Sequence, residues 1–425
     1  MQIYKKTVTF AIFAKKYFRR KFKKNRMKYY IIAGEASGDL HGSNLMKGLY
    51  EEDPEAIIRF WGGGLMNTVF RDNTAGTDPS EGIVRDYSDT AVMGFFELIG
   101  KLGKLADNLD FCRKDIAAFA PDCLIFIDYP GFNLRIARWA HDEYKKKLKP
   151  SLKIFYYIAP KVWATREGRN RQLKEYIDKL FIIFPFEKEY FSRQGIPYIY
   201  CGNPLVDSIT DSPAMQSSAE LLKTDLGLEP DSHLIAMLAG SRLAEVQTMM
   251  PQLTGAAAIL HSKEQFKDYI FFIAGAPGRN RKDYGVFDES YIRLVFGKTR
   301  EIVRAADAAV INSGTASLEA VLLNTPQVVA YKLKSKLTYC LARIMLIGKK
   351  YISLGNWCID KLAFKELCRA GECTAENIAE ELERLVSDEN YRKDMLDDYA
   401  AIRESLGQRG ASQRVAKAMV QELKG

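Results

Sequence analysis

The sequence is poor in the residue types that build metal centres and disulfide frameworks. Its 425 residues include four histidines and seven cysteines, and the closest cysteines, Cys368 and Cys373, do not have a zinc or redox spacing. An odd number of scattered cysteines, in a chain long enough to bury a large core, is typical of reduced thiols in a cytoplasmic protein. We therefore expect no metal site built from histidine or cysteine and no disulfide framework.

The sequence also lacks long apolar runs. A membrane-spanning helix needs about 18 apolar residues, but the longest candidate, Leu337–Gly348, is short and contains Arg343. The net charge of +9 comes from residues 1–26, which carry ten Lys and Arg and no acid; the rest has 52 basic against 53 acidic residues. A nucleic-acid-binding function of the fold therefore loses its main support.

Residues 1–26 have two interpretations. They are basic throughout and have no small-residue cleavage site, which argues against an ordinary signal peptide. One interpretation is an amphipathic basic anchor that lies on anionic lipid. The other, which we favour slightly, is an extension upstream of a functional start at Met27, because an apolar strand begins immediately after that residue.

Beyond Met27, short apolar runs alternate with helix-length amphipathic stretches, which is typical of parallel βα units. The first series of runs is Tyr29–Ala33, Ile57–Trp61, Cys123–Ile127, Ile154–Ile158, Leu180–Phe184 and Tyr198–Cys201, and the second is Leu234–Ala239, Tyr269–Ala274, Ala308–Asn312 and Gln327–Tyr331. Residues 203–232 between them predict a linker with a short helix, and the tail from Ala375 predicts helices. We expect an α/β protein with two doubly wound, Rossmann-like domains and a ligand cleft between them.

The predicted domain boundaries follow from this pattern. Residues 27–205 are predicted to form an N-terminal domain, and residues 206–395 a C-terminal domain. Residues 396–425 form a C-terminal helix that could pack back on the first domain. The length of the chain favours two domains over one.

Two loops of the first series carry candidate site residues. Gly34–Asp39 follows the first strand and contains Glu35, Ser37, Gly38 and Asp39; it is a plain turn capped by Ser37 or Asp39, or an anion-binding helix N-terminus. Asp128 follows Cys123–Ile127 and has two readings, a helix cap or a general base directed into the cleft, of which we favour the base. No GxGxxG motif follows the first strand, which argues against a dinucleotide cofactor.

Aromatic and basic residues follow the next strand. The segment Tyr157–Ala164 contains Trp163 and precedes Arg166, Arg169 and Arg171. This combination suits a sugar with an anionic group, and a solvated basic helix face is equally compatible with the arginines. Asn133, one turn after Asp128, is a further candidate for the sugar side of the site.

The second series has two small-residue turns between a strand and a helix. Gly240, Ser241 and Arg242 precede a helix with Glu245 in its first turn, and Ser313, Gly314 and Thr315 precede one with Glu319. Such turns bind phosphates by backbone N–H groups, and Arg242 adds a guanidinium for a diphosphate. Glu319 is placed to accept hydrogen bonds from ribose hydroxyls. No GxxxxGK[ST] motif is present, so this is not an ATP-hydrolysing P-loop.

Nine motifs, in order, resemble those of lipid-A-disaccharide synthases. They are IIAGEASGDLHG, AVMGFFELIG, IDYPGFN, YYIAPKVWATREGR, PFEKEYF, GNPLVD, LAGSRLAEV, INSGTASLEA and YISLGN. The resemblance spans about Met27 to Asn356, and more loosely the rest of the chain to the C-terminus. It implies a GT-B fold in which the N-terminal domain binds the acceptor and the C-terminal domain binds UDP. It further implies a metal-independent, inverting transfer from UDP-2,3-diacylglucosamine to 2,3-diacylglucosamine 1-phosphate, giving a β-1,6 disaccharide and UDP. The family is cytoplasmic and peripheral at the inner membrane of Gram-negative bacteria.

The resemblance also implies residue roles. Asp128 matches the family's proposed catalytic base, and Glu35, Ser37 and Asp39 match its acceptor-side loop. The positions that match its UDP site are Ser241, Arg242, Ser313, Gly314, Thr315, Glu319 and Asn356. Three positions depart from the pattern: Gly131 replaces a frequent Asp, Thr165 replaces a Trp, and Cys368-Arg369 replaces a Leu-Gln pair.

Two rival functions and one surface hypothesis remain open. Another GT-B UDP-sugar transferase, or a UDP-GlcNAc 2-epimerase, would use the same architecture, and a non-catalytic UDP-sugar-binding protein is the rival of another class. Residues Val92–Leu109 have apolar side chains at helical spacing, which predicts a helix that touches acyl chains or membrane, or one that faces the core. The oligomeric state and the acyl-chain length are not fixed by the sequence.

Overall fold

The structure is a computed structural model that describes residues 26–74, 80–87, 98–163, 167–312, 314–332 and 350–424. Within these ranges every cysteine is a free thiol. No helix in the described part of the chain is both long and apolar enough to cross a membrane.

The first sheet has seven described strands, all parallel, in the order β3-β2-β1-β4-β5-β6-β7. They are β1 (Lys28–Ala33), β2 (Ile57–Gly62), β3 (Gly82–Asp86), β4 (Cys123–Ile127), β5 (Lys153–Tyr157), β6 (Lys179–Ile182) and β7 (Tyr198–Tyr200). The connecting helices are α1 (Ala36–Glu52), α2 (Gly64–Asn73), α3 (Leu98–Phe119), α4 (Pro130–Trp139, continued by a π-helical turn at Ala140–Lys145), α5 (Asn170–Tyr176, preceded by a 3₁₀ turn at Glu167–Arg169) and α6 (Glu187–Gln194). Two apolar clusters, one on each face, form its core.

The second sheet has six described strands, also parallel, in the order β10-β9-β8-β11-β12-β13. They are β8 (Leu234–Leu238), β9 (Ile270–Gly275), β10 (Ile292–Phe296), β11 (Ala308–Asn312), β12 (Gln327–Ala330) and β13 (Glu366–Leu367). Helices α10 (Leu243–His261), α11 (Thr299–Ala305), α12 (Thr315–Leu323), α13 (Leu354–Ile359), α14 (Ala375–Ser387) and α15 (Glu389–Leu406) accompany them, with 3₁₀ turns at Glu264–Phe266 and Arg281–Tyr284. The predicted α/β fold with two parallel sheets is confirmed.

The chain passes between the sheets twice. Residues 203–232, expected to hold one short helix, hold three: α7 (Pro204–Thr210), α8 (Pro213–Gln216) and α9 (Ala219–Asp225). The second passage follows α15, where the N–H of Asn203 donates to the Leu406 carbonyl at 2.8 Å, so the two crossing segments lie side by side. The last helix, α16 (Ala411–Lys424), then packs on α1 of the first sheet.

Five strands, β5, β6, β7, β8 and β12, end one or two residues before the apolar runs that predicted them, and for β5 and β6 the structure shows the reason. Ile158 was assigned to β5, but its φ of 62° is left-handed and takes the chain out of the strand. β6 ends at Ile182, because the next two residues direct their N–H groups to the carboxylate of Glu187. Both strands therefore end where the backbone turns into a loop that carries candidate site residues.

The helix predicted at Val92–Leu109 lies partly outside the described residues. Its described part belongs to α3, which continues ten residues further, to Phe119. Leu105 and Leu109 pack against the apolar cluster on one face of the first sheet. For these two side chains the core-facing alternative holds, while Phe95 and Phe96 lie outside the described residues.

Candidate functional site

The strand order of each sheet reverses at one place, and the predicted site loops lie there. In the first sheet the reversal is between β1 and β4, and in the second it is between β8 and β11. The helices that follow adjacent strands leave toward opposite faces at such a point, which opens a crevice at the carboxyl ends of the strands. The loops at Gly34–Asp39 and Asp128–Asn133 line the first crevice, and those at Gly240–Arg242 and Gly314–Thr315 line the second.

Asp128 sits on a backbone that several contacts hold in an unfavourable conformation. Asp128 and Tyr129 both have left-handed φ angles, of 41° and 47°, which non-glycine residues adopt rarely. The N–H of Asp128 donates to the Tyr157 carbonyl at 3.2 Å. Its own carbonyl accepts from Asn133 Nδ2 at 2.7 Å and from the Tyr156 hydroxyl. Strain that is held by surrounding structure is typical of functional sites.

Asn133 is therefore part of the support of Asp128. Its side chain is fully buried, and Nδ2 also donates to the Ile127 carbonyl at 3.3 Å. The predicted role of a direct sugar contact does not fit this position, because no part of the amide reaches the surface. Asn133 acts on the site by fixing the Asp128 turn.

The carboxylate of Asp128 is the group of this loop that can take part in chemistry. It accepts from the backbone N–H of Tyr129, and no side chain among the described residues donates to it. Desolvation raises the pKa of Asp128 above its ordinary value, while the positive charge of Lys161 and the Tyr129 N–H lower it. Lys161 lies in the loop after β5, the strand next to β4, and sequence reasoning did not single it out.

The site has two halves, one at each sheet, and charges from both halves act on Glu35. Desolvation and the charge of Asp128 raise the pKa of Glu35, and the guanidinium of Arg242, from the second half, lowers it. Glu35 is the N-cap of α1 but makes no side-chain capping bond, and Ser37 is exposed. A Cβ on Gly34 would lie 2.3 Å from the Tyr129 ring, so this loop and the Asp128 loop touch.

Asp39 stabilises the start of a neighbouring helix. Its buried carboxylate accepts from the N–H groups of Gly63, Leu65 and Met66 at 2.8, 3.0 and 3.1 Å, which caps the start of α2. Gly38 beside it is buried against Ala33. The expected acceptor contact therefore falls to the exposed Glu35 and Ser37, while Asp39 and Gly38 shape the loop.

Trp163 lies in an aromatic cluster that joins the two halves. Its ring centroid is 4.7 Å from that of Phe186 and 5.8 Å from that of Trp357, which belongs to α13. Its indole N–H donates to Glu187 Oε1 at 3.1 Å. With 8% of its surface exposed, Trp163 offers little to a sugar, which corrects the expected sugar contact.

Glu187 is a buried carboxylate that the motif analysis did not single out. Besides the Trp163 indole, it accepts the N–H groups of Ile183 and Phe184 at 3.2 and 3.0 Å. Burial raises the pKa of Glu187 to about 7, although these hydrogen bonds oppose the shift. It fixes the end of β6 and the orientation of Trp163.

The first turn of the second half is tightly packed. Gly240 has a φ of 102°, and a Cβ there would lie 2.3 Å from Asn312 Nδ2 and 2.7 Å from Glu245 Oε2. Glu245 Oε2 accepts the N–H groups of Ser241 and Arg242 at 3.1 and 3.2 Å, and Oε1 pairs with the Arg242 guanidinium at 3.1 Å. The Glu245 carboxylate thus occupies the position expected for a phosphate, so Glu245 organises the turn.

The second turn leaves its helix N-terminus open. Gly314 is the N-cap of α12 with a φ of 151°, and no side chain caps the helix. Gly314 and Thr315 are exposed, and Ser313 lies outside the described residues. An uncapped N-terminus of this kind favours an anion. Glu319, one turn on, pairs through Oε1 with Arg300 at 2.9 Å.

Asn356 has no hydrogen-bonding capacity left for a nucleotide. Its Nδ2 donates to the Phe364 carbonyl and Glu366 Oε1 at 3.1 and 2.9 Å, and its Oδ1 accepts the N–H groups of Ala363 and Phe364 at 2.9 and 3.3 Å. Glu366 in turn holds the start of α13. Asn356 therefore supports this segment, which corrects the expected direct UDP contact.

Two of the three departures from the family pattern lie in the part of the chain that the structure describes. Gly131 lies in the first turn of α4 with open space around its Cβ direction. Thr165 lies outside the described residues. The N–H of Arg369 donates to Glu372 Oε2 at 3.0 Å, while burial raises the pKa of the neighbouring Cys368 thiol well above its usual range.

A cleft of about 570 Å³ lies between the two halves. One wall is a face of α1. The other is formed by residues at the carboxyl ends of β9 and β10, by the start of α11 and by the end of α7. Its lining includes Leu40, Asn44, Lys47, Ser208, Gly275, Pro277, Gly297, Thr299 and Arg300. A volume of this size is that of a small-molecule site.

Comparison with known proteins identifies the family. The family model for lipid-A-disaccharide synthetase matches residues 29–421. The chain belongs to the lipid-A-disaccharide synthase family. It is thus a glycosyltransferase of lipid A biosynthesis, as the motifs predicted.

Relatives in the lipid-A-disaccharide synthase family match over nearly the whole chain. The lipid-A-disaccharide synthase of Syntrophus aciditrophicus (strain SB) is 36% identical over 388 residues, which is 91% of this chain and 95% of that protein. That of Myxococcus xanthus (strain DK1622) is 33% identical over 405 residues, 94% of this chain and 98% of the relative.

Solved structures with the same fold are more distant in sequence. The UDP-GlcNAc 2-epimerase of Neisseria meningitidis bound to UDP-GlcNAc has a TM-score of 0.62 at 13% identity, covering 93% of this chain and all of its own. The glycotransferase of kitacinnamycin has a TM-score of 0.58 at 10% identity, covering 94% and 99%. These similarities establish the GT-B fold, and at such low sequence identity they show nothing about substrate or reaction.

Proposed function

We propose that this chain transfers 2,3-diacylglucosamine from UDP to 2,3-diacylglucosamine 1-phosphate with inversion, giving a β-1,6 disaccharide and UDP. One observation carries the proposal. A partly buried carboxylate, Asp128, lies on a strained turn of the first half, and Arg242 of the second half acts electrostatically on its neighbour Glu35. Glu35 thus lies within electrostatic range of both the base and the guanidinium of the leaving-group site.

Asp128 acts as the general base. Inversion needs one base to take the proton of the attacking hydroxyl as it reaches the anomeric carbon. Desolvation raises the pKa of Asp128, which makes its carboxylate a stronger proton acceptor than an ordinary aspartate. Glu35 and Ser37 are exposed beside it and hold the acceptor sugar.

The leaving UDP is stabilised by the second half. Its diphosphate binds the uncapped N-terminus of α12 at Gly314 and Thr315, with Ser313 of the same turn, and Arg242 supplies a guanidinium. The Arg242 side chain is 82% exposed and pairs with Glu245, so it can turn to a phosphate at little cost. The nucleoside lies toward the cleft, with Glu319 accepting from the ribose hydroxyls. With these groups present we infer that no metal ion takes part.

The acylated substrates imply a membrane surface. Both carry acyl chains that reside in a bilayer, so we infer a cytoplasmic protein that works peripherally on the inner membrane of a Gram-negative bacterium. No cofactor and no nucleic acid take part, and the oligomeric state is left open.

The reaction is tested with purified protein and the two acylated sugars. Mass spectrometry should detect a disaccharide 1-phosphate and released UDP only when both substrates are present. Conversion of UDP-GlcNAc without an acceptor would instead identify a 2-epimerase, a rival that the fold alone permits. Binding of UDP without turnover on any acylated sugar would identify a non-catalytic binding protein.

UDP should protect the protein against heat without a divalent metal, and Arg242→Ala should weaken that protection. A charge-assisted hydrogen bond contributes about 1.5–3 kcal/mol, so the affinity for UDP should fall by roughly 10-fold or more. The measurement is the melting temperature with and without UDP, in EDTA. Arg193→Ala, which removes an exposed arginine on α6 of the first half, is the control and should retain protection. Loss of protection in EDTA alone would contradict the metal-free mechanism.

Lys161→Met should move the acid limb of the pH–rate profile to higher pH. The positive charge of Lys161 lowers the pKa of Asp128, so its removal raises that pKa further, and the base is then protonated at a higher pH. The measurement is kcat/KM against pH for the parent, Lys161→Met and Lys161→Arg. Lys161→Arg keeps the charge and should follow the parent. A limb that stays in place in Lys161→Met would show that Asp128 does not control it.

A further inference from the structure

Arg300 binds three acceptors in the wall of the cleft. It is the second residue of α11, and its side chain is 28% exposed. Nη1 donates to the Ser208 carbonyl at 2.9 Å, and Nη2 donates to Ser208 Oγ and to Glu319 Oε1, both at 2.9 Å. Ser208 belongs to α7 and Glu319 to α12, so one guanidinium ties three helices together.

Ser208 fixes the guanidinium independently of Glu319. Two of the three hydrogen bonds go to this residue, one to its backbone and one to its hydroxyl. The planar fork can satisfy both and still present Nη2 to a carboxylate, which the single ammonium of a lysine does not reproduce. Ser208 of α7 therefore fixes the orientation of the guanidinium that binds Glu319.

Glu319 is held through one oxygen only. Oε1 accepts from Arg300, and no donor to Oε2 is found among the described residues. The side chain is 22% exposed, so the second oxygen is open to a ligand. A carboxylate with one oxygen anchored and one available accepts hydrogen bonds from hydroxyl groups with little loss of rotamer freedom.

We propose that Arg300 is a positioning residue for the nucleotide: it orients Glu319 so that Oε2 accepts hydrogen bonds from the ribose hydroxyls of a nucleoside diphosphate. The inference rests on the proposed function, which places Glu319 at the ribose. It adds a residue, Arg300, whose effect depends on the ribose hydroxyls and not on the phosphates. A purely structural link between helices would not show this dependence.

The test compares UDP with 2′-deoxy-UDP and 3′-deoxy-UDP by titration calorimetry. The parent should bind at least one deoxy nucleotide about 10-fold more weakly than UDP, because a charged acceptor loses its donor. Arg300→Met should weaken UDP by a similar factor and leave the affinity for that deoxy nucleotide nearly unchanged, so the discrimination disappears. Arg300→Lys should fall between the two.

Four further variants show whether the effect is specific to the Arg300–Glu319 pair. Arg304→Lys, one turn along α11 and bonded to the Leu323 carbonyl, is the matched control and should keep full discrimination. Glu319→Gln should lose discrimination, and Glu319→Gln combined with Arg300→Met should lose no more than either alone. Ser208→Ala keeps the ion pair and should lose discrimination in part, which provides a mild variant should Arg300→Met fold poorly.

Two outcomes overturn the inference. Full discrimination in Arg300→Met, Arg300→Lys and Ser208→Ala would show that Arg300 does not position Glu319. An equal loss of affinity for UDP and both deoxy nucleotides would show a structural role only. If the parent bound no UDP at all, the proposed function itself would fail, and the inference with it.

Discussion

Asp128→Asn should reduce turnover by about 10²- to 10⁴-fold, which is the usual contribution of a positioned general base. The amide keeps the shape of the side chain but cannot take the proton of the acceptor hydroxyl. The backbone contacts that hold the turn, to Tyr157, Asn133 and Tyr156, do not involve the carboxylate, so the fold should be retained. The measurement is the initial rate with saturating acylated substrates.

UDP binding provides the internal control for Asp128→Asn. The proposed phosphate groups lie in the second half, so thermal protection by UDP should equal that of the parent. Asp110→Asn removes a carboxylate that is 60% exposed on α3 and pairs with Lys114, and its turnover should be unchanged. Parental turnover in Asp128→Asn, or a loss that accompanies loss of UDP affinity, would refute the assignment of the base.

Gly240→Ala should destabilise the second half and abolish thermal protection by UDP. The φ of 102° costs a side-chain-bearing residue about 1–3 kcal/mol. The new methyl group would lie 2.3 Å from Asn312 Nδ2 and 2.7 Å from Glu245 Oε2, and such overpacking costs a further ~1–3 kcal/mol. The strain falls on the turn that carries Arg242, so chemical denaturation and UDP protection should both report it.

Gly103→Ala is the matched control for that substitution. Gly103 lies within α3, with nothing within 4 Å of its Cβ direction. Alanine there should be neutral or stabilise by about 0.5–1 kcal/mol, since it favours the helix. Gly240→Ala could instead unfold at the same denaturant concentration as the parent and keep its UDP protection. That result would contradict the tight packing of the turn between β8 and α10.

The central strands were predictable because they are apolar along their whole length. β4 and β11 have the predicted bounds, Cys123–Ile127 and Ala308–Asn312, and every residue of both is buried. Strands that are covered on both faces appear as continuous apolar runs bounded by polar or small residues. The loops after β1, β4, β8 and β11 could therefore be found, and they do lie at the two points where the strand order reverses.

The edge strands could not be predicted by the same signal. β3 and β10 are mostly exposed or half-buried beyond their first residue, and β13 has two residues. A strand that is covered incompletely need not be apolar, so GIVRD and IRLVF do not stand out from the loops around them. Each of the three pairs with the strand that precedes it in the chain, and this pairing depends on packing that a residue pattern does not show.

Several candidate site residues form hydrogen bonds within the chain that the sequence does not reveal. Asp39, Glu245 and Asn356 have the residue types that bind ligands, yet the structure satisfies each with groups of its own chain. The sequence shows which side chains can form hydrogen bonds, whereas which bonds are already formed depends on tertiary contacts. Lys161 and Arg300 do not stand out in the sequence, because the groups that they act on lie on other elements of the fold.

The anomeric configuration of the product tests the central claim most directly. The parent enzyme is incubated with UDP-2,3-diacylglucosamine and 2,3-diacylglucosamine 1-phosphate, and the new linkage is analysed by NMR. A single base, Asp128, acting with a leaving group held by Arg242 and the α12 N-terminus, predicts a β-1,6 linkage. An α linkage, or no disaccharide from folded protein that binds UDP, would contradict the account.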